Sequence, residues 1–99
     1  MIKFEIWQMP VSNPNKYMHY DWCKYPVDIK DYVMVYEGEE SESKVVGNLL
    51  EDIFEKLNVN FPKDYYASSL SVSDVVCLIR GNSREWWYVD GIGFKKLDW

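Results

Sequence analysis

Basic charge, cysteine, histidine and long apolar runs are all scarce in this sequence. Against 16 Asp and Glu stand 11 Lys and Arg, a formal charge of −5 over 99 residues. Lys95 and Lys96 form the one adjacent basic pair, so no patch offsets the net field and direct nucleic-acid binding is not expected. Two cysteines, Cys23 and Cys77, are too few and too far apart for a secreted disulfide framework and are read as reduced thiols. No stretch approaches the ~20 apolar residues of a membrane helix. The opening MIKFEIWQMP meets Pro10 too soon for a secretory core, and its apolar residues alternate. A cytoplasmic protein without membrane contact is expected. Glycine-rich phosphate cradles are missing too, because Gly91 and Gly93 precede a strand instead of a helix.

Aromatic residues, by contrast, are abundant at 17 %, including Trp7, Trp22, Trp86, Trp87 and Trp99. That is more aromatic surface than a small core readily absorbs, which leaves some for a partner. A chain of this length buries roughly 60 to 65 % of its unfolded surface and supports one core, so residues 1–99 are read as a single domain.

Ile2, Phe4 and Ile6 alternate with Lys3, Glu5 and Trp7, the period of a half-buried strand. After Pro10 the alternation fades, and Asn15 is placed to cap a short helical turn running toward Cys23 before Pro26. DYVMVYEG, from Asp31, suggests a strand with Tyr32, Met34 and Tyr36 on one face and Val33 and Val35 on the other. An acidic run from Glu37 to Glu42 then reads as a connection. Ser43 stands as N-cap to a helix ending near Leu57, whose Val46, Leu50, Ile53, Phe54 and Leu57 recur at helical spacing, with Asn58 as left-handed C-cap. Glu51, Asp52 and Glu55 decorate its outer side. Val75–Ile79 and Trp86–Val89 make a hairpin with Gly81 and Asn82 at the tip, and a last strand runs from Phe94 to Leu97. The fold class expected is α+β: a small, mostly antiparallel sheet of four to five strands with one main amphipathic helix packed on it.

For chemistry, the residues offer little. His19 and Cys23, four apart, and Cys77 amount to a partial metal set, and three separate sources fall short of zinc-site spacing, so no metal or cofactor is expected. Ser71, Ser73 and Asp74 precede a β-branched run, where short polar side chains bond neighbouring backbone groups and fix entry into a strand; they are read as a structural turn. No base or oxyanion hole accompanies them, and no catalytic residues are assigned. Trp86 and Trp87 must point to opposite faces of a strand, one into the core and the other a contact residue if uncovered.

SLSVSDVV at Ser69–Val76, followed by WYVDGIGFKKL at Trp87–Leu97, resembles the signature of the YodL-like domain family. The helix LLEDIFEKLN and the opening strand resemble it as well. Where the family pattern has Gly-His before Ser-Leu-Ser, this chain has Ala67 and Ser68. The resemblance implies a small bacterial or mobile-element domain, often part of larger accessory proteins. With no enzyme chemistry in view, the function expected is a protein-binding domain that engages or inhibits a host protein, with Glu37, Glu39, Glu40, Glu42, Trp86 and Trp87 as candidate contact residues. An acidic mimic of nucleic acid that inhibits a host defence nuclease is the alternative, and a small metal-dependent hydrolase a second.

Overall fold

The computed structural model describes residues 1–41, 46–59 and 62–99. Among these residues five strands form one sheet: β1 (Ile2–Gln8), β2 (Val33–Glu40), β3 (Val75–Arg80), β4 (Ser83–Val89) and β5 (Phe94–Leu97). Their order is β2-β1-β3-β4-β5, and every neighbouring pair is antiparallel. A helix, α1 (Val46–Lys56), lies between β2 and β3 in sequence. The α+β architecture is the one that the hydrophobic periods predict.

Alternation along β1 sends Ile2, Phe4 and Ile6 to one face, where they meet Val76, Leu78 and Val89 and the helix residues Leu49, Leu50, Ile53 and Leu57. Each of these is buried, and together they are the main core. Val46 and Phe54 pack at its rim and are only partly buried, so the helix is turned slightly from the face that the sequence suggests. Ser43, its expected N-cap, lies outside the described residues. Asn58 does not adopt the left-handed conformation expected of it. Instead the Glu55 carbonyl accepts from both the Asn58 and Val59 N–H groups, which closes the last turn without a left-handed residue.

The opposite face of the sheet carries a second cluster, comprising Met9, Tyr32, Val75, Cys77, Trp86, Tyr88 and Leu97. No helix covers it. The cover is the irregular strap 10–32, which contributes Tyr20, Cys23 and Val27, together with Trp99. In place of a helical turn begun by Asn15, the strap has two short 3-10 turns, Tyr20–Trp22 and Ile29–Asp31. Trp7, Trp86 and Trp99 pack here edge-on or tilted, with centroid separations of 5.5 and 5.2 Å.

β2 departs from its expected pattern in two ways. Ile6 pairs with Tyr36 but Trp7 pairs with Met34, so Val35 is the extra residue of a bulge and the strand's faces exchange there. Tyr36 therefore turns toward the helix while Met34 turns to the back face. The strand also continues to Glu40, so Glu37, Glu39 and Glu40 sit in the sheet and not in a connection. The hairpin turns at Gly81 and Asn82 as expected, but its strands run closer to the tip: Arg80 pairs with Ser83, so β4 begins three residues before Trp86, and Gly81 takes φ +59 at the first loop position.

Candidate functional site

The Ser69–Val76 segment folds around one buried carboxylate. Oδ2 of Asp74 accepts from the Ser71 N–H at 2.9 Å and from Gln8 Nε2 at 3.2 Å. Oδ1 accepts from Lys16 Nζ at 3.2 Å, and the Lys16 side chain is only 6 % exposed. Strand, turn and strap thus meet at a single side chain, with the charge matched by a buried partner, as a carboxylate removed from water requires. Burial holds the Asp74 carboxyl above the usual carboxylate range; the Ser71 bond and the Lys16 charge lower it without cancelling that effect. Gln8 Nε2 also donates to the Ser68 carbonyl, which accepts from the Tyr65 hydroxyl as well, so Ser68 is used here through its backbone.

Ser73 and Tyr17 are the two non-glycine residues with left-handed backbone among those described, at φ 87 and 66. They are bonded to each other, Tyr17 N–H donating to Ser73 Oγ at 3.0 Å, and the Tyr32 hydroxyl donates to the Ser73 carbonyl at 2.6 Å. Such conformations cost on the order of 1 to 3 kcal/mol each and persist where surrounding contacts over-determine them. Ser71 serves through its N–H, Ser73 through its hydroxyl and carbonyl, and Asp74 through its carboxylate.

The second signature segment grips the same strap further along. Asp90 Oδ1 accepts from the Tyr20 N–H at 3.0 Å and from the Gly91 N–H at 2.8 Å. Gly91 lies directly under His19: a Cβ built there would be 1.9 Å from the imidazole Cε1, so no side chain fits while the ring stays. His19 in turn stacks on Trp22, centroids 4.5 Å apart at 28°. The Tyr88 hydroxyl donates to the Met18 carbonyl at 2.7 Å and sits 3.3 Å from Cys23 Sγ. Within the strap, Asn15 is 2 % exposed; its side chain accepts from the Lys24 N–H and donates to the Tyr25 carbonyl, tying residue 15 to residues 24 and 25.

The strap so held turns aromatic side chains outward. Tyr17, Trp22 and Tyr25 are 56, 65 and 62 % exposed. None of them was legible as a site residue, because the segment has no period; the signal available was three aromatics in a stretch rich in turn formers. Lys16 and Asp90, which fasten the strap, and Gln8, which bonds Asp74, were likewise not singled out, and Gly91 was read only as a residue preceding a strand.

The expected contact residues are scattered. Trp86 is buried on the back face, and Trp87 is half-buried against the helix-side core with Lys96 Nζ 5.9 Å from its ring centre. Glu37 and Glu39 are exposed on β2, Glu40 pairs with Lys56 at 3.3 Å, and Glu42 lies outside the described residues. Among the described residues, no three His, Cys, Asp or Glu side chains converge as metal ligands, and no helix is long and apolar enough to cross a membrane.

Three buried phenols and one buried thiol are shifted away from ionisation. Burial raises the Tyr32 and Tyr88 phenols well above their ordinary value, pushes Tyr65 up to about 12, and pushes the Cys77 thiol up to about 11 against the opposing effect of Arg84. A nucleophile needs its ionised form within reach, and these groups are shifted the other way. Glu5 accepts from Arg84 at 2.8 Å and from Trp7 Nε1 at 3.1 Å, a cross-sheet tie and not an acid–base pair.

No match was found among curated proteins, and none among solved structures. The family model of the YodL-like domain matches residues 3–99, which include both segments that fasten the strap. The chain therefore belongs to the YodL-like domain family.

Proposed function

We propose that this domain is a non-enzymatic protein-binding module whose contact surface is the aromatic side of the strap 10–32. The observation that carries the reading is the use of the two signature segments: Ser73 and Asp74 in one, Tyr88, Asp90 and Gly91 in the other, are all engaged in holding the strap. What they hold in place is a segment with three exposed aromatic side chains, Tyr17, Trp22 and Tyr25. Tyr and Trp dominate the energetics of protein contacts, because each offers a large amphipathic surface for little lost side-chain freedom. A strap fixed in advance by buried bonds also lowers the ordering cost of association. The shifts of the buried phenols and thiol away from reactivity favour binding over catalysis.

Site-specific photocrosslinking in the protein's own cells tests this. A benzophenone side chain placed at Trp22 or Tyr25 should give discrete protein adducts, while the same group at Tyr66, which is 92 % exposed but off the strap, should not. Adducts from Tyr66 with none from Trp22 or Tyr25 would contradict the assignment.

A further inference from the structure

A second surface, independent of the strap, lies at the outer edge of the sheet. β2 pairs with β1 on one side only, so alternate N–H and C=O groups along residues 33–40 point away from the sheet. Natural proteins blunt such edges, and the bulge at Val35 is one device of that kind. Yet this edge also leaves Val33, Met34 and Val35 at 64, 40 and 37 % exposure.

Charge is unbalanced in the same place. Glu37 and Glu39 are both exposed, and neither has an ion-pair partner among the described residues. The register sets both on the back face, Glu37 opposite Glu5, whose own charge is taken by Arg84, and Glu39 opposite Lys3, which comes within ion-pair distance of neither Glu37 nor Glu39. Between them opens a recess of about 250 Å³ that Lys3, Phe4, Gly38 and Ile79 complete. The edge thus offers main chain that, apart from the Glu39 carbonyl bonded by Lys56 Nζ at 3.5 Å, pairs on one side only, apolar side chains at one end, and two carboxylates outside any ion pair among the described residues beside a cavity at the other.

We propose that β2 accepts an extended basic peptide segment of a partner protein as a sixth strand, paired along residues 33–40, with its Lys or Arg side chains at Glu37 and Glu39. Main-chain pairing supplies the attachment and the charges select the partner. A second copy of this chain is the poorer occupant. β2 against β2, parallel in register or antiparallel about residues 37–39, sets glutamates against glutamates, and like charges directly opposite destabilise a strand pair.

The test is a titration of the isotope-labelled full chain with a capped nine-residue peptide of alternating Lys and Val, followed by amide NMR. Shift changes and slowed hydrogen exchange should be confined to residues 33–40 and the facing part of β1. The Glu/Val counterpart peptide should leave the spectrum unchanged. Substituting Glu37→Lys with Glu39→Lys should weaken binding at least about tenfold, equivalent to about 1.4 kcal/mol. Should the double lysine variant unfold, Glu37→Gln with Glu39→Gln serves instead and should weaken binding several-fold. Equal binding of both peptides, undiminished binding by the variants, shifts centred on the strap, no shifts at millimolar peptide, or shifts produced by raising protein concentration alone would each overturn the proposal.

Discussion

Replacing Gly91 with alanine puts one methyl group where a hydrogen was, yet the geometry assigns it a large and local effect. The new Cβ would lie 1.9, 2.2 and 2.6 Å from three imidazole atoms of His19, well inside contact distance, so the ring must leave. Its departure ends the stack on Trp22, a pair of the kind worth about 0.5 to 1.5 kcal/mol beyond area burial. Overpacking of this type costs about 1 to 3 kcal/mol in all, and that is the loss expected for Gly91→Ala in urea denaturation followed by tryptophan fluorescence. Gly91 is not among the residues with positive φ, so alanine meets no backbone strain there. In a His19→Ala background the same change should therefore be neutral, or stabilising by about 0.4 to 1 kcal/mol through the unfolded chain. The double-mutant cycle isolates the contact. Loss below about 0.5 kcal/mol in the parent, the range of an ordinary surface change, would refute the reasoning. So would an equal loss with and without His19.

Two further outcomes follow from the packing. Lys16→Met leaves the buried Asp74 carboxylate without its counter-charge and should cost about 3 to 5 kcal/mol at neutral pH by urea denaturation. The Asp74 carboxyl is already held above its unfolded value, so its contribution to stability is fully present below the unfolded carboxylate range and lost as pH rises through the folded pKa. Removing Lys16 raises that folded pKa further, so the gap between variant and parent should narrow on acidification; a gap constant with pH would contradict the pairing. On the other face, Ile53→Ala should cost about 2 to 5 kcal/mol, and Phe54→Ala less, because Ile53 is fully buried while Phe54 sits at the rim against Phe94. The reverse order would mean that the helix is turned differently.

How legible these features were follows from what holds each of them. β1, the helix and the hairpin are local or periodic structures: Ile2, Phe4 and Ile6 announce a strand, the spacing of Leu50, Ile53 and Leu57 a helix, and Gly81-Asn82 the tip of a hairpin. The strap has no period, and its short local turns do not by themselves set its course over the sheet. Lys16, Tyr17 and Tyr20 are held by partners 58, 56 and 70 residues away, so no window of sequence around them contains the cause of their conformation. The acidic run reads as a loop because glutamate is disfavoured in strands, and pairing with β1 overrides that preference. Nothing in VMVYE marks Val35 as a bulge. The signature segments were visible as motifs, but the side chains that complete them, Gln8 and Lys16, lie at the other end of the chain.

Hydrogen exchange on a Ser73→Ala, Asp90→Ala double variant tests the central claim most directly, since it removes one fastening from each signature segment while leaving the sheet pairing intact. Protection of the strap amides, Tyr17 and Tyr20 first, should fall by an order of magnitude or more (about 1.4 kcal/mol or above) while β1 and β3 amides keep theirs. Unchanged strap protection, or an equal loss in β1 and β3, would contradict the account of these segments as fasteners of a binding strap.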